Sequence, residues 1–211
     1  FTLFGLCCVT LGKIEKARKI FEHIISLQPD FALPYFHLTV LMVRHDDAEK
    51  VFGLIDTASI KTADKSNVYS HAAKISIEKG DFQQADAFLE RAIDLMPSNV
   101  EALVTSAKLF YNKGNFDQAS KMYDEVLFYE PENREALLGQ GEIFFQSEKW
   151  ASSLVNAKSI FDRFPGDVAA GYLVCRSLYE LNQTEEYLNI AKSLAKVAPQ
   201  NPKVLEVLAL G

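Results

Sequence analysis

The side chains that commonly ligate metal ions or act as nucleophiles are few in this chain and widely separated. The four histidines are His23, His37, His45 and His71. None of them belongs to a His-Glu-x-x-His pair, and no Gly-x-Gly-x-x-Gly or other phosphate-binding loop occurs. A metal site at His45, Asp46 and Asp47 is conceivable, but a solvated turn is the favoured interpretation. These patterns predict a protein with no enzymatic activity, no metal ion and no cofactor.

Three cysteines, Cys7, Cys8 and Cys175, are too few and too unevenly placed for a disulfide framework. Adjacent cysteines do not readily bridge to each other, and Cys175 lies far along the chain. We therefore expect all three to be packing residues, since a free cysteine behaves as a small apolar side chain.

The charge balance is acidic, with 28 aspartates and glutamates against 22 lysines and arginines. Nucleic-acid-binding domains usually carry a basic surplus, so the net charge of −6 disfavours that class. No apolar run approaches the roughly 20 residues that span a bilayer. The chain begins with Phe1 and stops in an apolar segment, from which we expect a piece of a longer protein. The cytoplasm and the periplasm are both compatible with it.

Five of the seven prolines are regularly spaced, namely Pro29, Pro97, Pro131, Pro165 and Pro199. The last four are 34 residues apart, and the first gap is twice as long, with Ala63 at the missing mark. A fixed period of this size is the signature of a repeat architecture. Because proline lacks the N–H donor and disfavours helix at the residue before it, each proline predicts a break between helices.

Other positions align when each proline is placed at position 32 of a 34-residue unit. Position 8 carries small residues, namely Gly5, Thr39, Ala73, Ala107, Gly141, Cys175 and Ala209. Position 20 is small in four of six units, in the series Ala17, Val51, Ala85, Ala119, Ser153 and Tyr187. Position 24 opens with the bulky residues Phe21, Ile55, Leu89 and Tyr123. Position 15 mostly carries residues that tolerate left-handed backbone, in the series Gly12, Asp46, Gly80, Gly114, Glu148 and Asn182.

This pattern resembles the tetratricopeptide repeat, a helix–turn–helix unit with small residues at positions 8 and 20 and proline at 32. The resemblance covers the whole chain and implies an all-α fold, in which tandem antiparallel helix–turn–helix repeats stack into a right-handed superhelix, or α-solenoid. An irregular helical bundle would not keep proline in register. The expected units of this single array are residues 1–31, 32–65, 66–99, 100–133, 134–167 and 168–201, with a partial unit at 202–211.

Each unit is expected to hold a first helix over about positions 2–14 and a second helix over about positions 18–30. The second unit fits least well, because Thr39, Val51 and Ala63 replace the usual residues. We predict for it a helical pair in phase, with a shorter or displaced second helix and a looser junction to the third unit. In the sixth unit Tyr187 replaces the small residue at position 20, which predicts a local shift of the chain.

In the family, certain positions of the first helix point into a concave groove that holds the partner. The resemblance implies as groove residues Phe36, Arg44, Lys74, Lys108, Tyr111, Asn112, Glu142, Phe145, Arg176 and Tyr179. The first two units add an apolar zone made of Leu6, Val9, Phe36, Val40 and Val43. We expect a helix preceding Phe1, rather than a ligand, to pack against this apolar zone.

Two lysines in successive units lie beside aromatic residues in the middle of this expected groove. Lys74 and Lys108, with Tyr111 and Phe145, are suited to hold an acidic or extended peptide. In the alternative, both lysines pair with glutamates of the chain and keep the groove hydrated. The candidate glutamates are Glu78, Glu101 and Glu142.

The resemblance implies a non-catalytic scaffold that binds a peptide or protein partner in the groove. The alternative is a recruiting or assembly arm of a larger machine: a bacterial envelope or polysaccharide-export factor, or a glycosyltransferase-type enzyme whose catalytic part is absent. Self-association through truncated ends is a third interpretation, since uncapped arrays expose apolar surface. One subset of the family clamps the terminal carboxylate of chaperone tails, and Ser70, Lys74 and Thr105 do not match that clamp.

Overall fold

The computed structural model describes residues 1–45 and 48–210, and within these ranges it contains thirteen α-helices and no β-strand. In chain order they are α1 (Thr2–Thr10), α2 (Ile14–Leu27), α3 (Ala32–Arg44), α4 (Ala48–Asp56), α5 (Thr62–Lys79), α6 (Phe82–Leu95), α7 (Val100–Asn112), α8 (Phe116–Tyr129), α9 (Arg134–Gln146), α10 (Trp150–Phe161), α11 (Val168–Glu180), α12 (Thr184–Val197) and α13 (Pro202–Leu210). The predicted all-α fold is confirmed. Asp46 and Asp47, and with them the metal site considered in that turn, lie outside the described residues.

The helices follow the period of the prolines. The second helices of successive pairs begin 34 residues apart, at Ile14, Ala48, Phe82, Phe116, Trp150 and Thr184. From α7 onward the first helices keep the same spacing, beginning at Val100, Arg134, Val168 and Pro202. Because a short turn joins the two helices of a pair, the helices run antiparallel and pack together. In the described ranges, no helix is both long enough and apolar enough to cross a membrane.

The turns inside the pairs place position 15 in left-handed backbone, as the sequence predicts. Gly12, Gly80 and Gly114 have φ between 69° and 80°, and Glu148 and Asn182 have φ of 59° and 57°. A residue in this conformation ends the first helix and turns the chain back along it. Glu148 is the unexpected case, because a side chain with a Cβ is strained in this region.

Polar side chains at position 34, which the sequence interpretation overlooked, cap the first helices from α7 onward. Asn99, Asn133 and Asp167 each accept a hydrogen bond, at 3.0–3.1 Å, from the backbone N–H three residues ahead. Asn201 accepts one from the backbone N–H of Lys203. These side-chain oxygens satisfy donors that the start of a helix leaves unpaired, so they fix where each helix begins.

Helix α5 begins at Thr62, before the position at which the other first helices start. Lys65 occupies position 34 here, and its ammonium cannot accept a hydrogen bond, so no cap fixes the start. Ala63 replaces the proline, which leaves Thr62 free to adopt helical backbone. The preceding helix α4 has 9 residues, whereas α2 and α6 have 14 each. The predicted shortening of this second helix is confirmed.

The predicted looser junction after α4 is confirmed, since α4 packs more sparsely against α5 than the second helices α2, α8, α10 and α12 pack against the helix that follows each of them. Side-chain contacts from Asp56 still tie α4 to both α5 and α6. The Asp56 carboxylate accepts a hydrogen bond from the Tyr69 hydroxyl at 2.9 Å and one from the Arg91 guanidinium at 3.0 Å. The ring of Phe52 stacks on that of Phe88 with centroids 4.9 Å apart. The short helix is therefore anchored by both polar and aromatic contacts.

The chain forms two compact units, Phe1–Ser106 and Ala107–Gly211. In both, the small residues at positions 8 and 20 let helices approach closely. A Cβ on Gly5 would come within 2.7 Å of the Phe21 ring in the first unit. In the second unit Tyr187 is 2% exposed, and its hydroxyl donates to the backbone carbonyl of Val207 in α13. The larger residue at position 20 is thus accommodated with its polar end satisfied.

The cysteines are free, as expected, but they do not all pack. Cys8 and Cys175 are buried, and burial raises the pKa of the Cys175 thiol to about 12. Cys7 is exposed on α1, so the prediction that all three are packing residues is wrong for Cys7.

Candidate functional site

Both lysines predicted for the groove are paired with glutamates of the following first helix. In the first unit Lys74 Nζ lies 2.5 Å from Glu101 Oε1, and in the second unit Lys108 donates to Glu135. Each pair joins residues 27 positions apart. Because both pairs are about half exposed, each contributes at most about 1 kcal/mol to stability. The interpretation in which the lysines pair with glutamates therefore fits better than two free ammonium groups.

The other groove residues predicted in the first unit are engaged as well. Phe36 stacks on His71 with ring centroids 4.1 Å apart, and burial lowers the pKa of His71, so this imidazole is neutral at neutral pH. Arg44 Nη2 lies 3.7 Å from Glu78 Oε2 in an exposed ion pair. Val43, expected in the apolar zone, is fully buried and cannot contact a ligand.

In the second unit, α7, α8 and α9 surround a cavity of about 330 Å³. Its lining residues are Lys108, Tyr111, Asn112, Tyr123, Arg134, Glu135, Leu138, Gly139 and Glu142. Four predicted groove residues are therefore brought together here: Lys108, Tyr111, Asn112 and Glu142. The volume lies in the range of clefts that take small ligands or protruding side chains.

Tyr123 is the most buried of the tyrosines around this cavity. It comes from α8 and is 2% exposed. Its ring lies against Gly139, where a Cβ would come within 2.3 Å of the tyrosine Cζ. Its hydroxyl makes no hydrogen bond within the described part of the chain. Burial raises the pKa of this hydroxyl, so it remains protonated and can both donate and accept a hydrogen bond.

Glu142 lines the same cavity without a hydrogen bond or ion pair to any described residue. Burial raises the pKa of its carboxyl, and the charge of Lys203 opposes that shift. Tyr111, on α7, accepts a hydrogen bond through its hydroxyl from Gln146 Nε2 at 2.6 Å, which fixes the Tyr111 ring. The cavity therefore combines one carboxylate that lacks an ion-pair partner with two tyrosine hydroxyls.

A second group, which includes the predicted residues Phe145 and Arg176, meets on α9, α11 and α13. The Arg176 guanidinium lies 4.3 Å from the Phe145 ring centroid and 5.7 Å from that of Tyr172. Lys203 Nζ lies 5.1 Å from the Tyr172 centroid, and the Tyr172 hydroxyl donates to Glu206 Oε1 at 2.8 Å. Among the described residues, neither cation has a carboxylate within ion-pair distance. Cation–π contacts orient both charges without neutralising them.

Tyr179 belongs to neither group. It lies near the end of α11, exposed, and lines a different cavity of about 340 Å³ together with Tyr187. The two tyrosine ring centroids are 6.0 Å apart.

Among the residues of these groups that escaped prediction, Lys203 and Tyr123 did so for different reasons. Lys203 stands at position 2 of the partial last unit, a groove position in the family, so the pattern could have revealed it. Tyr123 was noted only as a bulky residue at position 24, and its close approach to Gly139 brings its hydroxyl to the cavity. No group of three or more histidines, cysteines or carboxylates suited to a metal ion occurs in the described part of the chain.

Comparison with known proteins agrees with this architecture. Two family profiles, both described as Tetratricopeptide repeat, match residues 76–143 and 1–31. The Tetratricopeptide repeat-containing protein trd-1 of Caenorhabditis elegans is 25% identical over 91 residues, which make up 43% of this chain. The chain spans 12% of the length of that relative.

Several solved structures are similar in fold. YrrB, a TPR protein with an unusual peptide-binding site, has a TM-score of 0.67 at 14% identity, covering 90% of this chain and 97% of YrrB. PilF of Pseudomonas aeruginosa has a TM-score of 0.69 at 12% identity, covering 100% of this chain and 96% of PilF. MamA of Desulfovibrio magneticus RS-1 has a TM-score of 0.62 at 19% identity, covering 68% of this chain and 81% of MamA. At these identities the likeness concerns the fold alone.

Proposed function

Since the chain belongs to the tetratricopeptide repeat family, we propose that it is a non-catalytic scaffold that binds a peptide or protein segment. The contact surface is the face of the first helices in the second unit, where Phe145, Tyr172, Arg176 and Lys203 meet. YrrB, which shares the fold, has a peptide-binding site, and this supports a peptide as the partner.

The observation that carries the proposal is the pair of cations on α11 and α13. Arg176 and Lys203 both lie over the ring of Tyr172, so two like charges are held near each other with no carboxylate paired to either. An anionic group bound between them would relieve that repulsion, and the rings would cover its apolar neighbours. We therefore assign the acidic part of the partner to Arg176 and Lys203.

This assignment changes the role of the lysines expected to hold the partner. Lys74 and Lys108 form ion pairs with Glu101 and Glu135, so a partner would have to break an existing ion pair to bind them. Arg176 needs no such displacement. The two lysines connect neighbouring first helices, and the partner's carboxylates bind farther along, at α11 and α13.

Selection from a library of random peptides tests the scaffold, followed by calorimetry on the selected peptides. We expect enrichment of aspartate and glutamate, and at least a tenfold loss of affinity in Arg176→Glu, because reversal removes one attraction and adds a repulsion. Arg163→Glu is the matched control. Arg163 also lies near an aromatic ring, 5.9 Å from the Phe164 centroid, but it is already paired with Glu132 at 2.7 Å.

Equal affinity in the two arginine variants, or selected peptides without acidic residues, would contradict the assignment. Circular dichroism of both variants checks that helical content is unchanged. A failure to select any peptide would count against the scaffold itself.

Self-association is a further candidate, since α1 exposes apolar side chains. Phe1, Leu3 and Phe4 are exposed on or beside this helix. Burial of such a face by a second copy would release water from apolar surface. Light scattering over a range of concentrations would show a rising mass if the chains associate, and a constant monomer mass would dismiss the idea. The recruiting arm of a larger machine remains the alternative at the level of the whole protein.

A further inference from the structure

The cavity at α7, α8 and α9 holds one carboxylate, Glu142, that no charge in its lining pairs with, and the charge of Lys203 acts on it from outside the lining. Lys108 is paired with Glu135, and Arg134 is paired with Asp167, so these four charges cancel. Glu142 is partly buried and is left without a hydrogen-bond or ion-pair partner among the described residues, although the more distant charge of Lys203 favours its ionised form. An ionised carboxylate removed from water needs a cation or several hydrogen-bond donors to offset its desolvation. The lining therefore favours a positively charged occupant.

The hydroxyl of Tyr123, at the tip of a side chain that is 2% exposed, reaches the cavity and gives an independent indication of an occupant. It makes no hydrogen bond with a described residue, and it opens onto the cavity, where an entering group can reach it. Gly139 is what permits the ring to reach this position, since any Cβ there would collide with it. The hydroxyl thus offers an acceptor to a donor that enters the cavity.

Tyr111 supplies a third acceptor and an aromatic face. Its hydroxyl oxygen already accepts from Gln146, and that oxygen has a second lone pair. An ammonium group carries three N–H donors, which matches one carboxylate and two hydroxyl oxygens in number and in polarity. Aromatic rings beside a cation add a favourable electrostatic contact.

From this arrangement we infer that the cavity binds an alkylammonium group of the partner, with Glu142 as its charge partner and Tyr123 and Tyr111 as hydrogen-bond acceptors. The group is a lysine side chain or the amino terminus of the bound segment. The inference rests on the proposed scaffold function and extends it by naming a basic anchor. Together with the acidic contact at Arg176 and Lys203, it gives the bound segment one acidic and one basic contact, which lie close enough for the charge of Lys203 to act on Glu142.

Binding of small lysine analogues, followed by NMR on the intact chain, tests the cavity directly. The probe is Nα-acetyl-lysine N-methylamide, which keeps the side-chain ammonium and blocks the backbone charges. Nα-acetyl-norleucine N-methylamide is the matched neutral ligand with a similar stem. Norleucine N-methylamide, with a free α-ammonium, distinguishes an amino terminus from a lysine side chain. We expect at least one ammonium compound to shift the Tyr111 and Tyr123 resonances at tenfold lower concentration than the neutral compound.

Variants identify the residue responsible. Glu142→Gln keeps the shape of the side chain and removes its charge. We expect this variant to bind the ammonium compound with at least tenfold lower affinity. Glu125→Gln removes a carboxylate from the exposed surface of α8, outside the cavity lining, and should leave binding unchanged. Tyr123→Phe keeps the ring against Gly139, removes the hydroxyl and should weaken binding several-fold. Equal binding of charged and neutral compounds, or wild-type affinity in Glu142→Gln, overturns the inference.

The two proposals fail in different ways. If the affinity of the selected peptides depends on Arg176 but is unchanged in Glu142→Gln, the proposed ammonium site is wrong and the scaffold function stands. If the lysine analogue binds in a Glu142-dependent way but no peptide is captured, the cavity stands and the scaffold is wrong. Circular dichroism on each variant ensures that a loss of binding does not come from unfolding.

Discussion

Gly139 of α9 lies directly against the ring of Tyr123 from α8, and a Cβ at residue 139 would come within 2.3 Å of the tyrosine Cζ. This contact determines both the packing of the two helices and the presence of the Tyr123 hydroxyl at the cavity. A glycine inside a helix costs about 0.5–1 kcal/mol relative to alanine, so its presence here reflects the space that the ring occupies.

Gly139→Ala is therefore expected to destabilise the chain by about 1–3 kcal/mol, because the added methyl group overpacks a buried contact. Gly53→Ala is the matched control on α4, where nothing lies within 4 Å of the added Cβ, and it should stabilise by about 0.5–1 kcal/mol. Urea unfolding followed by circular dichroism measures both. A stabilising Gly139→Ala would show that the helices separate at little cost.

Glu148 holds left-handed backbone with φ of 59° at a position where other units have glycine. The conformation costs about 1–2 kcal/mol for a residue with a Cβ, and glycine adds about 0.5–1 kcal/mol of chain entropy to be lost on folding. Glu148→Gly should therefore raise the free energy of unfolding by up to about 1 kcal/mol. Glu125→Gly, inside α8, should instead lower it by about 1 kcal/mol. Thermal melting of the two variants should move in opposite directions.

Much of the fold could be predicted because proline, glycine and small residues act locally. Pro131 and Gly114 determine where helices end, whatever lies elsewhere in the chain. The early start of α5 was missed because it depends on Lys65 being unable to cap a helix, a property that the proline spacing does not show. The pairing of Lys108 with Glu135 depends on rotamers across two helices, which the repeat pattern leaves open.

The candidate site was predicted in its residue types but not in its charge balance. The repeat pattern predicts both Lys108 and Glu142 as groove residues. Only the structure shows that Lys108 forms an ion pair and that Glu142 does not. The expected acidic partner contact therefore moves to Arg176 and Lys203, and a basic contact appears at Glu142. This change in the expected charge contacts follows from side-chain geometry, which a 34-residue sequence pattern does not reveal.

The Arg134–Asp167 ion pair contributes to the stability of the folded chain, and this contribution is lost in acid. The guanidinium holds the pKa of the Asp167 carboxyl below its ordinary value of 3.8, so the folded state favours the charged form. That stabilisation is fully present above pH 3.8 and is lost as the pH falls through the lower folded-state pKa. Asp167→Asn keeps an oxygen for the cap of α11 but loses the ion pair. We expect it to cost about 1 kcal/mol at neutral pH and to match the wild type in acid.

Urea unfolding at neutral pH and at a pH well below 3.8, beneath the lowered pKa of the folded Asp167 carboxyl, measures this difference. Asp94→Asn removes an exposed carboxylate from α6 and is the control for the general effect of net charge. A constant difference between Asp167→Asn and the wild type at both pH values would show that the cap alone, and not the charge, matters.

Glu142 is expected to show the opposite pH dependence, because burial raises the pKa of its carboxyl above 4.5. Between the two pKa values the folded state holds a proton that the unfolded state has released. Folding with a neutral Glu142 is therefore favoured below pH 4.5, and this stability is lost as the pH rises through the folded-state pKa. Glu142→Gln should retain that stability at neutral pH and unfold at higher urea than the wild type. Lys203→Met should raise the pKa of Glu142 further, since the charge of Lys203 lowers it. Carbon-detected NMR titration of the glutamate carboxyl groups measures the value directly, and a Glu142 pKa at or below 4.5 would contradict the burial on which this prediction depends.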